Sequence, residues 1–167
     1  MAEPILYLSG SFVPQSQAYL SPLDRGFSLA DGVFETMVAV KDRIFRLDDH
    51  LSRLMEGANV LELTLPTPRE LAWAVRETLR RNGLPRSVVR LTATRGVDPG
   101  RGLALPAQST PTVMVRVTPR QRLKSESAGR SLMVASLRRN ETSPLSRVKS
   151  LAYTEGIVAR LEAQRVG

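Results

Sequence analysis

The sequence predicts an α+β fold: a two-layer α/β domain, followed by the start of a second α/β domain. Three observations predict the first domain. The stretches "PILYLSGSFV" and "VFETMVAVKDRIFRL" alternate apolar and polar residues as strands do, two stretches with helical spacing follow, and "SVVRLTATRG" and "TPTVMVRVTP" alternate again. Strands, two helices and further strands in this order favour helices packed on one face of a sheet, over residues 1–118.

The stretch between the first strands, "SPLDRGFSLADG", predicts a loop. Gly26 and Gly32 allow the backbone to turn tightly there. We expect Asp24 and Arg25 to pair with each other and to brace the loop. The strand that follows alternates, which places Phe34 and Thr36 on one side and Glu35 on the other.

Two helices are predicted by their spacing and their end signals. In "LDDHLSRLMEGANVLEL" the apolar residues recur at helical spacing, and Asp48 or Asp49 supplies an acid at the N-terminus. In the second helix Thr67 caps the start, Pro68 takes the first position and Glu70 completes a capping box. Asn82-Gly83 closes that helix.

The last third of the chain predicts an unfinished domain. Residues 119–129 are a polar linker, "RSLMVASLRRN" is a strand, and a helix begins at about Ser150. One strand and one helix cannot bury a core, so residues 130–167 are expected to be the beginning of an incomplete second domain. The apolar face of the helix would meet water unless further chain or a second copy covers it.

Composition excludes several kinds of site. The chain has no cysteine and a single histidine, His50, which excludes disulfides and thiolate metal sites and argues against histidine zinc sites or triads. We therefore expect no metal. No run approaches the roughly 20 apolar residues of a membrane span, and the N-terminus has no basic flank before a long apolar stretch. These features favour a soluble, cytoplasmic protein without membrane contact.

The positive charge is concentrated at the C-terminal end. The net charge is +8, and residues 119–167 carry 10 basic and 4 acidic side chains. A basic patch could bind nucleic acid through phosphates. The aromatic content is only 5%, and no basic run is interleaved with aromatic residues for base stacking, so nucleic acid is not the expected partner.

Lys149 is the candidate nucleophile. Only three of the 24 basic residues are lysine, and this one precedes a predicted helix in "SRVKSLAYTE". Arginine cannot form an imine, whereas a desolvated lysine amine can attack a carbonyl. The alternative is a solvated charge near a helix start.

Four stretches, "DRGFSLADGVFET", "HLSRL", "TRGVDPGRG" and "SRVKSLAYTE", resemble the class IV (fold type IV) pyridoxal-phosphate enzymes in order and spacing. That family includes branched-chain and D-amino-acid aminotransferases and aminodeoxychorismate lyase. The resemblance implies that Lys149 forms the Schiff base with pyridoxal 5'-phosphate. The freed lysine would then carry the substrate α-proton.

The resemblance also implies roles for other residues. Arg53 matches the arginine that binds the cofactor phosphate, and Tyr153 matches a tyrosine near the cofactor ring. Arg101 matches an arginine near the substrate carboxylate, with a turn arginine as the alternative. Phe34 and Thr36 lie in the motif "DRGFSLADGVFET", and the resemblance implies that they bind the substrate. Threonine in the Thr36 position is typical of aminodeoxychorismate lyases, whereas branched-chain aminotransferases tend to carry glycine there.

His50 has no catalytic role in this interpretation; it is expected to pack or cap near the start of its helix. Ala152 departs from the asparagine that is common in the family. The resemblance implies that residues 130–167 begin the family's C-terminal cofactor-binding domain, which in the family continues for roughly another hundred residues. That part supplies a glutamate for the pyridine nitrogen and helix-terminal amides for the phosphate, and both are expected outside this sequence.

Three functions stay open. The first is transfer of an amino group from an amino acid to a keto acid, and the second is release of pyruvate from aminodeoxychorismate to give 4-aminobenzoate. In both, the resemblance implies small-molecule substrates and a homodimer. The third is a non-catalytic fragment that binds a partner or nucleic acid through its basic end.

Overall fold

A computed structural model describes residues 3–100, 102–120, 129 and 131–167. Its centre is a six-stranded antiparallel sheet with the strand order β2-β1-β6-β5-β3-β4. The strands are β1 (Ile5–Leu8), β2 (Ser11–Pro14), β3 (Gly32–Val40), β4 (Arg43–Ile44), β5 (Arg86–Thr94) and β6 (Thr112–Pro119). The helices are α1 (Arg25–Leu29), α2 (Leu47–Val60), α3 (Pro68–Asn82) and α4 (Thr154–Val166). The predicted α+β class is confirmed.

Helices α2 and α3 cover one face of the sheet. Met37, Val89 and Val115 point from three neighbouring strands into the core, where they join Leu54 and Val75 of the helices. Burying each such side chain contributes about 1.5–3 kcal/mol. Because strand side chains alternate, the intervening residues, which include Phe34 and Thr36 of β3, point away from these helices to the open face of the sheet.

The predicted helix ends are confirmed for α3. The Thr67 side chain accepts a hydrogen bond from the Glu70 N–H, and the Glu70 side chain accepts one from the Thr67 N–H. Pro68 occupies the first turn, and Gly83 closes the helix with a φ of 57° in the left-handed region. Each of these signals acts within about one helical turn, so it depends on the local sequence rather than on tertiary contacts.

The loop before β3 differs from the prediction in two ways. It contains the short helix α1, and Asp24 and Arg25 do not pair with each other. Asp24 instead caps α1 by accepting a hydrogen bond from the Gly26 N–H, and it also accepts one from the Thr94 hydroxyl of β5. The Arg25 guanidinium, which is buried, pairs with Asp31 and Asp98. Asp24 and Arg25 thus bind different partners, although they are neighbours in sequence.

The strand predicted over residues 130–140 is wrong for the described residues 131–140, none of which lies in a strand. A strand needs a partner for its N–H and C=O groups, and no described segment pairs with these residues. Leu132 and Val134 are 94% and 95% exposed. The linker prediction falls mostly on residues 121–128, outside the described residues, so the domain boundaries stay a prediction.

The last helix begins later than predicted. Ser150 forms a β-bridge with Val33, Lys149 and Leu151 form backbone hydrogen bonds with β3, and α4 starts only at Thr154. No side chain of α4 is buried, and Ile157, Val158 and Leu161 are exposed. Among the described residues, no helix is both long enough and apolar enough to cross a membrane.

Candidate active site

The first half of β3 positions Lys149. Strand β4 pairs only with the far end of β3, at Ala39 and Val40, and residues 149–151 lie on the same edge near its start. The Phe34 N–H donates to the Lys149 carbonyl oxygen over 3.1 Å, and the Leu151 N–H donates to the Gly32 carbonyl oxygen over 2.9 Å. These two backbone hydrogen bonds fix the lysine beside β3, although the two segments are far apart in sequence.

Close packing at this junction requires Gly32. A Cβ at this position would lie 2.5 Å from the Ala93 carbonyl oxygen and 2.8 Å from Leu151 Cδ1. Both distances are well below normal contact, so a side chain would displace either β5 or the segment that carries Lys149. The sequence predicted that Gly32 allows a tight turn. The structure shows that glycine is needed because a side chain has no room at this position.

The Lys149 amine lies beside two aromatic rings. Its Nζ donates to the Tyr153 hydroxyl oxygen over 2.9 Å and lies 4.5 Å from the Phe34 ring centroid. The two rings meet edge to face with their centroids 5.0 Å apart. The structure therefore brings together three of the predicted site residues, and the rings would bound a flat ligand attached to the amine.

Arg53 reaches the same region from α2. Its Nε and Nη2 donate to the two carboxylate oxygens of Glu35 over 2.6 and 2.7 Å. The Arg53 side chain is nevertheless 52% exposed. A guanidinium has five N–H donors, and Glu35 uses two of them, so donors remain for an anion.

Glu35 is a fully buried carboxylate on the helix-facing side of β3. It points away from the side of Phe34 and Thr36, as the alternation predicted. Burial raises the pKa of Glu35, but the hydrogen bonds and charges of Arg53 and His50 outweigh it and hold that pKa below its ordinary 4.5. His50 Nδ1 lies 2.7 Å from Glu35 Oε2. His50 therefore packs near the helix start, as expected, and also contacts a carboxylate that the sequence did not suggest.

A cavity of about 460 Å³ opens beside Lys149, Tyr153 and Arg53. Its lining includes Arg53, Arg139, Arg147, Lys149 and Tyr153, and the one acidic side chain among its described lining residues is Glu155. A mainly basic lining favours an anionic ligand. The cavity thus offers an amine, an aromatic wall and a partly exposed arginine, and this donor set fits an aldehyde that carries a phosphate.

Arg90 is the residue that sequence reasoning missed. It lies on β5 opposite Thr36 of β3, and its guanidinium carbon is 3.7 Å from the Phe34 ring centroid. Burial, followed by the charge of Arg116, lowers the pKa of Arg90 from its ordinary value. Among the described carboxylates, none forms an ion pair with it. The alternating pattern of "RSVVRLTAT" puts this charge on one strand face, but only the register with β3 puts it at the site.

The remaining predictions concern Thr36, Arg101 and metal binding. Thr36 is exposed on the same sheet face as Phe34, so the predicted alternation is confirmed. Arg101 lies outside the described residues, and its role stays a prediction. Within the described part of the chain, no group of three or more His, Cys, Asp or Glu side chains could hold a metal ion.

Comparison with known proteins shows the family. The model of amino-transferase class IV matches residues 32–167, so the chain belongs to the class IV aminotransferases. A Methanocaldococcus jannaschii protein that bears the name of a branched-chain-amino-acid aminotransferase is 36% identical over 164 residues, which cover 97% of this chain and 56% of that protein. Aminodeoxychorismate lyase of Bacillus subtilis is 29% identical, covering 95% of this chain and 54% of the lyase.

Solved structures agree with this assignment. The branched-chain aminotransferase of Thermoproteus uzoniensis with norvaline superposes with a TM-score of 0.87 at 30% identity, covering 99% of this chain and 58% of that one. A second branched-chain aminotransferase, solved with pyridoxamine 5'-phosphate, gives 0.86 at 28% identity, covering 97% and 56%. Pyridoxal phosphate is the cofactor of this family. The resemblance found in the sequence is confirmed, and the chain spans little more than half the length of these relatives.

Proposed function

We propose that this chain carries the reactive lysine of a pyridoxal-phosphate enzyme that transfers an amino group from an amino acid to a keto acid. The observation that supports this most directly is the position of Lys149 Nζ beside Tyr153 and Phe34. Lys149, Tyr153 and Arg53 line the same cavity. Pyridoxal phosphate, when bound, supplies an aldehyde for amines and a ring that withdraws electrons from the substrate Cα.

In this proposal each residue has a defined task. Lys149 Nζ binds the cofactor and then moves the proton of the substrate Cα. The Tyr153 hydroxyl orients that amine, and the Phe34 ring excludes water from one side of it. Arg53 binds the phosphate through the donors that Glu35 leaves unused. Arg90, partly buried and without a carboxylate partner among the described residues, orients a substrate carboxylate.

A second reaction, release of pyruvate from aminodeoxychorismate, is supported by Thr36. Threonine in this position is typical of the lyases, and here it lies exposed beside Arg90 on the open sheet face. Both reactions begin with removal of the substrate α-proton, and they differ in the group that leaves afterwards. Product detection separates them: a keto acid formed only when an acceptor is added supports amino transfer, and pyruvate formed without an acceptor supports the lyase.

The cofactor assignment is tested by reductive trapping. The protein is incubated with pyridoxal phosphate and reduced with borohydride, and the label is located by peptide mass mapping, with Lys149→Ala as the control. We expect one label per chain on Lys149 and none in the variant. Sparse label spread over all three lysines would refute the enzyme proposal and favour a binding role for the basic end.

We also propose that the protein is a homodimer, as the resemblance implies. Two touching loops on one end of the sheet expose large apolar side chains: Tyr19 and Phe27 are each 79% exposed, and Leu103 is 83% exposed. The contact between the loops includes the hydrogen bond from Arg25 to the Ala104 carbonyl oxygen. Light scattering during size-exclusion chromatography should give twice the monomer mass, and Phe27→Ser should lower it.

A further inference from the structure

A carboxylate buried beneath the cavity needs an explanation beyond folding. Glu35 has no exposed surface, and its neighbours on the same face of β3 are the core residues Val33 and Met37. Replacing a buried ion pair by apolar residues of similar volume is often neutral or stabilising. Stability alone therefore gives little reason for a charge in this position.

The Glu35 carboxylate is directed at one side chain of the candidate site. Both of its oxygens accept from the Arg53 guanidinium, and His50 lies against Oε2. Two parallel hydrogen bonds fix the plane of a guanidinium as well as its position. A long side chain that is half exposed would otherwise sample many rotamers. Glu35 thus determines where the unused donors of Arg53 point.

The adjacent residue of β3 fixes the lysine. The Phe34 N–H binds the Lys149 carbonyl oxygen, and the Phe34 ring lies beneath Lys149 Nζ. Consecutive residues of one strand point to opposite faces. One residue therefore contacts the lysine on the open face, and the next contacts the arginine on the helical face.

We propose that Glu35 is a positioning residue, and that Phe34 and Glu35 together make β3 the frame that sets the spacing between the aldehyde end and the phosphate end of the cofactor. This inference rests on the proposed function, because it takes Lys149 as the attachment site and Arg53 as the phosphate ligand. Glu35 touches neither cofactor nor substrate in this scheme; it acts through Arg53.

The test compares two ligands that differ only in the phosphate. Dissociation constants for pyridoxal phosphate and for pyridoxal are measured by absorbance titration. The constant for pyridoxal divided by the constant for pyridoxal phosphate reports how much the phosphate contributes to binding. In Glu35→Gln we expect this ratio to fall roughly tenfold to hundredfold, the range for loss of a charged hydrogen-bonded pair. Affinity for pyridoxal should stay within about twofold, because the lysine and the aromatic wall are unchanged.

Glu77→Gln is the matched control. Glu77 also accepts hydrogen bonds from two arginines, Arg80 and Arg81, but on the surface of α3 away from the cavity. The Glu77→Gln variant should leave the ratio of the two dissociation constants unchanged. In an Arg53→Ala background Glu35→Gln should have no further effect on the ratio, since the residue through which it acts is gone.

The outcomes separate the two proposals. If Arg53→Ala leaves the ratio unchanged, the phosphate assignment in the proposed function fails. If Arg53→Ala lowers the ratio but a folded Glu35→Gln does not, or weakens both ligands equally, the positioning inference alone is overturned. Should circular dichroism show Glu35→Gln unfolded, His50→Gln replaces it. A fall in the ratio of about threefold or more then supports the inference, and an unchanged ratio overturns it.

Discussion

Substituting Gly32 tests whether the backbone contact with β3 positions Lys149. In Gly32→Ala the new methyl carbon would lie 2.5 Å from the Ala93 carbonyl oxygen, 2.8 Å from Leu151 Cδ1 and 3.0 Å from Thr94 Cα. Two of the three are backbone atoms of β5, which cannot rotate away. Overpacking costs about 1–3 kcal/mol, and the upper part of that range applies when a strand must shift.

A loss of about 2–3 kcal/mol would lower the melting temperature by roughly 4–12 °C for a protein of this size. Thermal unfolding by circular dichroism measures this. Borohydride trapping, done well below the melting temperature, should show weaker labelling of Lys149, because the Leu151 N–H to Gly32 hydrogen bond is strained.

Gly156→Ala is the control for this substitution. Its methyl would meet only Tyr153 Cδ1 at 3.8 Å, an ordinary contact within α4. Gly156 lies in the first turn of α4, where alanine has room and a higher helix propensity than glycine, so this variant should melt no lower than the parent. A Gly32→Ala protein that melts within a degree of the parent and labels equally well would refute the argument that this pairing holds the lysine.

Three further predictions concern separate parts of the molecule. Thr67→Ala removes the capping box of α3 and should cost about 1 kcal/mol in urea unfolding, with no change in the denaturant slope; an unchanged midpoint would contradict it. Because the folded protein holds the Glu35 pKa below 4.5, the unfolded chain binds the proton more readily, so stability should fall as pH drops below about 4.5 and through the folded pKa. In Glu35→Gln the free energy of unfolding should fall less steeply as the pH drops. Arg90→Gln should raise KM for the carboxylate substrate roughly tenfold to hundredfold with a smaller change in kcat, and an unchanged KM would remove Arg90 from the proposed substrate site.

The sequence by itself determined the local elements of this protein. The cap and the end of α3 come from Thr67, Glu70 and Gly83, which act over a single turn. Alternation along β3 correctly separated Phe34 from Glu35, because the two-residue period of a strand is a property of the backbone. The family resemblance, and with it the choice of Lys149, also came from linear motifs.

Tertiary structure decided which residues meet. Arg90 joins the site only because β5 pairs with β3 in one register, and Arg25 finds Asp31 and Asp98 rather than its neighbour in sequence. The strand predicted over 130–140 did not form among the described residues, since alternation gives a segment the capacity to pair but not a partner. Pairing between distant segments depends on the whole fold, so the spacing of Lys149 and Arg53 about β3 could be seen only in three dimensions.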